Sequence, residues 1–236
     1  MYRGFMIIDC IGCLHGFYPD LRGGDLLIVS GDLTSKDNAV EYAEFVIWLQ
    51  SQKYRNKVVI AGNHDNFIEN NKGWAEIADL GFDYLCDSGI EVIYYRYLDP
   101  PNLKKIGIPY KQKTLKIWGS PWSSQFPGIN PNTCAFTRPY NETLADRWDL
   151  IPDDVDILIT HTPPYGVFDL VDDLEHVGNL DLRNHVIRRI KPKLHVFSHI
   201  HECGGNMVDT NVTKFVNCSI MNEHYKPVNK PVRVIL

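Results

Sequence analysis

Polar side chains of metal-binding types follow short apolar runs at five places along the chain. The set combines two carboxylates, one amide and four imidazoles. Its members are Asp9, Asp32, Asn63, His64, His161, His199 and His201. Carboxylate oxygens and imidazole nitrogens together suit Mn²⁺, Fe or Zn²⁺, and the set lacks the thiolates of structural zinc sites. Because an aspartate between two cations is able to bridge them, these residue types predict a site for two metals.

The apolar runs before these side chains predict the strands that must bring them together. The runs are residues 5–8, 26–31, 58–62, 157–160 and 194–198. Continuous runs rich in β-branched residues are typical of strands buried on both faces of a parallel sheet. Ligands bind outside the carboxyl ends of such strands, where the loops converge on one crevice. We therefore expect these loops to meet at one edge of the fold.

The rest of the chain predicts helices between the strands and a second group of strands. Helices are predicted over 35–54, 73–80, 141–150 and 180–190, and strands over 91–95, 115–119 and within 214–236. The helix patterns are amphipathic, and the strand pair has antiparallel character, either within a second sheet or as an edge added to the first. Residues 120–139, rich in Pro, Ser and Asn, predict a long loop. Long loops in compact domains often serve function, so this one is expected to line a pocket.

Composition limits the class of protein. The chain of 236 residues is long enough for one large core, and we expect a single domain over residues 1–236. The net charge of −5 argues against a sequence-independent nucleic-acid surface but does not exclude a small phosphate ester as substrate. The six cysteines are scattered, unlike those of a disulfide scaffold, and no secretory signal stands out. We expect a cytoplasmic protein without membrane or stable nucleic-acid partners, and leave its oligomeric state open.

The order of the polar blocks resembles that of the calcineurin-like metallophosphoesterases. The pattern of that family is Asp-x-His, Gly-Asp, Gly-Asn-His-Asp or Gly-Asn-His-Glu, a lone His after a strand, and Gly-His-x-His. The matching blocks are Asp9-Cys10-Ile11, Gly31-Asp32, Gly62-Asn63-His64-Asp65, His161 and His199-Ile200-His201. Within the family, the chain is most similar to metallophosphoesterase-domain proteins of the fetal-brain 239 type. Residues 119–122, 156–164 and 189–202 extend that similarity.

The resemblance implies a fold and a role for each matching residue. The implied fold is α/β, a four-layer α/β/β/α sandwich of two mixed sheets with a dimetal site at one edge. The implied metal ligands are Asp9 and His201 for the first metal, Asn63, His161 and His199 for the second, and Asp32 bridging both. His64 would stabilise the transition state or protonate the leaving oxygen, and Asp65 would orient His64.

The resemblance also implies a function, that of a hydrolase acting on phosphate esters. It points to a metal-dependent phosphodiesterase for small nucleotide-like esters such as 2′,3′-cyclic nucleotides. A hydroxide activated by two divalent metals would attack phosphorus, and His64 would assist departure of the alcohol. Mn²⁺ is the expected metal, with Fe or Zn²⁺ as alternatives.

Two positions depart from the family pattern. Ile11 stands where the first block requires a His, and an apolar side chain offers a metal no lone pair. The first site is then weak or empty, completed by water, or rescued by His15 or Cys13 in the following residues. Because of Ile11, the alternative to an enzyme is a weakly active or non-catalytic scaffold with this fold. Ser198 replaces the Gly before His199, a small change that we expect to be tolerated.

Overall fold

Two large β-sheets form the frame of the computed structural model, which describes residues 5–71, 80–96, 111–125, 132–172 and 174–236. The strands of the first sheet are β1 Ile7–Ile11, β2 Gly24–Ser30, β3 Tyr54–Ile60, β4 Asp83–Tyr84 and β13 Val232–Ile235. Their spatial order is β13-β1-β2-β3-β4. β1 to β4 are parallel, whereas β13 is antiparallel to β1.

The second sheet is also mixed. Its strands are β5 Ser88–Arg96, β6 Lys111–Ser120, β9 Ile157–Thr160, β10 Leu194–Phe197, β11 Asn206–Asp209 and β12 Lys214–Asn217, in the order β11-β12-β10-β9-β6-β5. The central strands are parallel, and the edge strands β5 and β11 are antiparallel to their neighbours. The predicted strands 91–95 and 115–119 are therefore confirmed as an antiparallel pair. In the predicted long loop, β7 Ser123–Gln125 pairs with β8 Thr137–Pro139.

Apolar side chains fill the space between the sheets and cover both outer faces. Ile28 of the first sheet and Ile159 of the second belong to the same buried cluster. The helices are α1 Ala39–Ser51, α2 Asn66–Asn70, α3 Ala145–Asp149 and α4 Leu180–Asn184. α1 packs on the outer face of the first sheet, and α3 and α4 pack on that of the second. The predicted four-layer α/β/β/α sandwich is confirmed.

The helix α1 is shorter than its amphipathic pattern predicts. The side chain of Asn38 accepts hydrogen bonds from the backbone N–H groups of Val40 and Glu41, so the helix begins at Ala39 instead of residue 35. Its buried stripe packs against the first sheet and consists of Tyr42, Phe45, Val46 and Leu49. The cap therefore sets the start of the helix, and the stripe sets its orientation.

The other predicted helices have different outcomes. The helix predicted over 141–150 is reduced to α3, whereas α4 continues as a π-helical segment, His185–Ile190, through the predicted range. Residues 73–79 of the helix predicted over 73–80 lie outside the described residues. Within the described ranges, no helix has the length and apolar character needed to cross a membrane.

The strand β1 is longer than its apolar run predicts. It continues through Asp9 to Ile11, and Asp9 lies directly opposite Arg233 of β13. The loop after β1 therefore starts at Gly12, three residues later than the apolar run 5–8 predicts. This extension decides which side chains reach the carboxyl edge of the sheet.

Candidate metal centre

The carboxyl ends of β1, β2 and β3 meet those of β9 and β10 at one edge of the molecule. The carbonyl oxygen of Ser30, at the end of β2, accepts hydrogen bonds from Nδ1 of His161 and Oγ of Ser198, both at 2.8 Å. The N–H of Gly12 donates to the carbonyl of Cys218 at 2.9 Å. These bonds join the two sheets at the place where the loops of both sheets converge.

One group of side chains at this edge consists of Cys13, His15, Asp32 and His201, whose ligand atoms all lie within 4.8 Å of one another. Nε2 of His15 is 3.3 Å from Nε2 of His201 and 3.6 Å from Oδ2 of Asp32. Sγ of Cys13 is 3.9 Å from the same oxygen. Zn–N bonds of about 2.0–2.1 Å and Zn–S bonds of about 2.3 Å place the donors of a tetrahedral site about 3.3–3.8 Å apart. The spacing of this group therefore fits a metal ion.

A second group consists of Asp32, His161 and His199. Nε2 of His161 lies 3.4 Å from Oδ2 of Asp32 and 3.0 Å from Oδ1 of Asn63. Nδ2 of Asn63 donates to the carbonyl of Thr133 at 3.3 Å, which leaves Oδ1 facing His161. Asp32 belongs to both groups, as a bridging carboxylate must. The predicted ligands that the structure brings together are Asp32, Asn63, His161, His199 and His201.

Backbone carbonyls select the tautomers of two of these histidines. Nδ1 of His161 donates to Ser30 at 2.8 Å, and Nδ1 of His201 donates to the carbonyl of Asn222 at 3.0 Å. In the neutral form of each ring, Nε2 therefore carries no proton, and it faces the cluster. Metal-binding histidines are commonly held in this way, so the donor set fits divalent cations.

Burial keeps most of the imidazoles neutral. It lowers the pKa of His15 and of His199 to about 3, in spite of the opposing charge of Asp32, and it also lowers the pKa of His201. Burial acts in the same direction on His161, but contact with Asp32 outweighs it and raises the pKa of that ring. Although burial disfavours the charge on Asp32, His161 and the other imidazoles hold its pKa well below the usual range. An ionised carboxylate among neutral imidazoles is the state that binds a metal.

Several residues of the cluster have left-handed backbone conformations. The φ angles are 48° at Cys13, 42° at His15, 53° at Asp32 and 65° at His199. Each such conformation costs a side-chain-bearing residue about 1–3 kcal/mol, and these conformations concentrate at functional sites. The packing of the loops therefore offsets the free-energy cost of these conformations, which direct the side chains towards one point.

His64 and Asp65 follow Asn63 in the loop after β3. The N–H of His64 donates to Oδ1 of Asp32 at 3.0 Å, and its ring centre is 4.7 Å from that of His15. This contact places His64 beside the cluster.

The carboxylate of Asp65, which the resemblance assigns to orienting His64, is hydrogen-bonded to other groups. Its carboxylate accepts hydrogen bonds from the backbone N–H groups of Asp32, Leu33 and Gly62 and from the hydroxyl of Tyr42, at 2.7–3.0 Å. Burial and the nearby Asp32 raise the pKa of Asp65 to about 7, against the effect of these donors. Because both oxygens are committed, Asp65 ties the loops after β2 and β3 together and does not orient the ring of His64.

Asp9 lies away from the cluster, in the middle of β1. Its carboxylate accepts hydrogen bonds from Nε and Nη2 of Arg233 at 2.8 and 2.7 Å and from the hydroxyl of Tyr54. The prediction that Asp9 binds a metal assumed that the strand ended before it, whereas the longer β1 places its carboxylate against Arg233 and Tyr54. Ile11 is fully buried in the core under α1, so it does not occupy the place of a missing ligand.

A cleft of about 640 Å³ opens beside the cluster. The cluster residues on its wall are Asp32, Asn63, His64, His199 and His201. The wall also carries the acidic side chains Asp172, Glu175, Glu202 and Glu223, together with Val171, Val177, Ile200 and Tyr225. Among the described residues, no Lys or Arg lines this cleft.

Comparison with known proteins places the chain in a family. Residues 6–203 match the family model for calcineurin-like phosphoesterases. The chain belongs to the calcineurin-like phosphoesterase family. It is 38% identical to the human and mouse metallophosphoesterase domain-containing protein 1, over 99% of this chain and 72% of theirs. A Caenorhabditis elegans UPF0046 protein is 36% identical over 94% of this chain and 58% of its own.

Membership of the calcineurin-like phosphoesterase family clarifies the first block of its pattern. With Asp9 and Ile11 outside the cluster, the residues at the site that fit Asp-x-His are Cys13-Leu14-His15, with Cys in place of Asp. Sequence reasoning considered Cys13 and His15 only as substitutes. The missed signal is the glycine before the ligand, since Gly12-Cys13 repeats the arrangement of Gly31-Asp32 and Gly62-Asn63.

Proposed function

We propose that this protein is a metal-dependent phosphodiesterase that hydrolyses small nucleotide-like esters such as 2′,3′-cyclic nucleotides. The observation that carries the proposal is the position of Asp32, whose carboxylate belongs to two groups of metal-binding side chains at the wall of a cleft. When bound there, two divalent cations supply a nucleophilic water at neutral pH and stabilise the charge that develops on the phosphoryl oxygens. Membership of a phosphoesterase family supports the same chemistry.

The geometry supports an assignment of ligands to each metal. His15 and His201 would hold the first ion, Asn63, His161 and His199 the second, and Asp32 would bridge them. This differs from the assignment that the resemblance implied, because His15 replaces Asp9. The carbonyl partners of His161 and His201 would keep Nε2 directed at the metals.

His64 is the residue that we assign to proton transfer. Its side chain lines the cleft, and its backbone is held to Asp32 at 3.0 Å. The ring contacts His15 edge-on at 4.7 Å, which restrains its orientation. An imidazole at this point donates a proton to the leaving oxygen, an effect typically worth about 10²–10⁴-fold in rate.

The charge of the cleft favours a diester over a monoester. The acidic side chains on its wall face no Lys or Arg among the described lining residues. A phosphate diester carries one negative charge, whereas a monoester carries close to two at neutral pH. The acidic wall therefore repels a monoester more strongly. The nucleotide-like character of the substrate rests on the family resemblance.

The observation that favoured a non-catalytic scaffold no longer supports it. It depended on Ile11 as a missing ligand, but His15 supplies an imidazole at the cluster and Ile11 belongs to the core. The donor types of the remaining cluster give no reason to prefer a scaffold.

The test is hydrolysis of a 2′,3′-cyclic nucleotide and of p-nitrophenyl phosphate by the metal-loaded protein, compared with the variant His64→Ala. We expect the cyclic diester to be hydrolysed faster than the monoester, and the variant to lose about 10²–10⁴-fold in kcat while it still binds metal. Equal rates for the variant and the wild type would remove His64 from the mechanism. Preference for the monoester would overturn the assignment as a diesterase.

A further inference from the structure

Cys13 is the member of the first ligand group that the family pattern does not contain. Its sulfur is 3.9 Å from Oδ2 of Asp32 and within 4.8 Å of the ligand nitrogens of His15 and His201. The backbone N–H of His199 donates to the same sulfur at 3.1 Å. This hydrogen bond favours negative charge on the sulfur, whereas burial and the nearby Asp32 raise the pKa of the Cys13 thiol, so the charge of a bound cation is what would hold the sulfur as a thiolate.

The surroundings of Cys13 differ from those of the other buried cysteines. Cys10 and Cys218 belong to the apolar cluster between the two sheets, where a thiol acts as a small hydrophobic side chain. Cys13 is equally buried, but it lies in none of the apolar clusters, and its polar partners include Asp32 and the N–H of His199. Packing alone therefore does not account for its position.

We propose that Cys13 binds the first metal as a thiolate and that this ligand makes the centre selective for Zn²⁺ over Mn²⁺. The ligand set would be the sulfur of Cys13, Nε2 of His15 and His201, and the carboxylate of Asp32. Thiolates favour soft cations such as Zn²⁺, whereas the carboxylate that the family pattern has at this position suits Mn²⁺. Zn²⁺ takes donors of these types, and a fifth position would hold the water that the proposed hydrolysis requires.

The inference rests on the proposed function only in treating the cluster as a metal centre. Binding forms a bond from sulfur to the metal and breaks the S–H bond, and the proton leaves to solvent. No oxidation state changes, so no redox partner is required. The expected metal therefore shifts from Mn²⁺, which the resemblance implied, to Zn²⁺.

The experiment uses the full chain, stripped of metal by a chelator and loaded with Co²⁺, which replaces Zn²⁺ and reports its ligands by absorption. A thiolate ligand gives sulfur-to-cobalt charge-transfer absorption in the near ultraviolet. The wild type and the matched control Cys10→Ser should show this band, whereas Cys13→Ser and Cys13→Asp should not. In Cys13→Asp, the ratio of Zn²⁺ to Mn²⁺ affinity should fall by about tenfold or more.

Absence of the band in the cobalt-loaded wild type, or its persistence in Cys13→Ser, would overturn the inference, as would failure of the wild type to bind Co²⁺. If the Cys13 variants do not fold, a crystal structure of the zinc-loaded wild type decides. A sulfur at about 2.3 Å from zinc supports the inference, and a sulfur outside the coordination sphere contradicts it.

The two proposals fail in distinguishable ways. A charge-transfer band from a protein that hydrolyses no phosphate ester would leave the thiolate ligand in place and contradict the proposed function. Hydrolysis by a metal-loaded wild type that lacks the band would support the proposed function and reject the thiolate.

Discussion

Asp9 and Asp32 show how two aspartates of the same sheet acquire different roles from their neighbours. Asp9 faces Arg233 across a pair of antiparallel strands and accepts two of its N–H groups. Asp32 follows its strand, and three imidazoles influence its charge. Asp9 therefore stabilises the fold, and Asp32 is available to bind cations.

We predict that Asp9→Ala lowers the stability of the protein without affecting its metal content. The substitution leaves the guanidinium of Arg233 and the hydroxyl of Tyr54 without their buried acceptor, at a cost of about 1.5–3 kcal/mol for bonds to a charged group. Urea unfolding measures the loss, and elemental analysis measures the metal. His15→Ala is the contrasting variant, since it should lose metal affinity at a smaller cost in stability. Loss of metal from Asp9→Ala would return Asp9 to the list of ligands.

Sequence alone indicates that Asp32 lies near the other polar side chains, as it does in the structure, but it does not indicate the position of Asp9. A glycine and an apolar run mark the loop that carries Asp32, and both are local signals. The partner of Asp9 is Arg233, which lies at the other end of the chain and meets it only because β13 pairs with β1. Whether a carboxylate within a strand has a structural role depends on such a long-range pairing. The residues around the carboxylate in the sequence do not reveal its partner.

At the scale of the loops, glycines allow the strand ends to approach one another. A Cβ atom on Gly62 would lie 2.4 Å from Oδ1 of Asp32 and 2.5 Å from Cε1 of His161. Gly31 has a φ of 98° and is enclosed by Ala61 and His161. Gly31 and Gly62 are therefore required by close packing around the ligands.

We predict that Gly62→Ala disrupts the metal centre because the new methyl group must displace Asp32 or His161. The affinity for metal should fall by about 10–100-fold, as for other changes that move supporting groups of a metal site. Calorimetric titration of the stripped protein with Zn²⁺ measures this. Gly81→Ala is the control, since nothing lies within 4 Å of its Cβ position, although its φ of 76° makes it strained. Equal affinities in the two variants would reject the steric explanation.

The strands of the core were predictable, and the ends of elements were less so. β9 ends at Thr160, where its apolar run ends, and β2, β3 and β10 end one or two residues before theirs. β1 carries a charged residue in its interior, so its pattern ends too early. The helix α1 begins later than its pattern predicts because the side chain of Asn38 caps its first turn. This cap depends on hydrogen bonds, which the spacing of apolar residues does not reveal.

At the scale of the whole molecule, the core contains a titratable group outside the metal centre. His195 lies within β10, fully buried, with Nε2 2.9 Å from Oγ1 of Thr160 and its ring near Phe197 and Phe215. Burial lowers the pKa of His195 to about 3 from its ordinary value of 6.5. Between pH 6.5 and 3, His195 is therefore neutral in the folded protein and protonated in the unfolded chain.

We predict that this difference in protonation makes His195 a cause of acid unfolding. As pH falls from 6.5 towards 3, the unfolded state binds the proton first, so stability decreases by up to about 1.4 kcal/mol per pH unit for each such histidine. In His195→Gln, measured with the chelator-stripped protein, the slope of stability against pH should be smaller by that amount. The exposed His224→Gln serves as the control. An unchanged slope in His195→Gln would show that the buried ring takes up its proton before unfolding.

The most direct test of a two-metal phosphodiesterase centre is the rate of bis(p-nitrophenyl) phosphate hydrolysis as a function of divalent metal bound per chain. The proposed centre predicts no turnover in the chelator-stripped protein and a rate that rises until about two ions are bound. An inactive protein with both ions bound, or activity that does not depend on metal, would contradict the proposed centre.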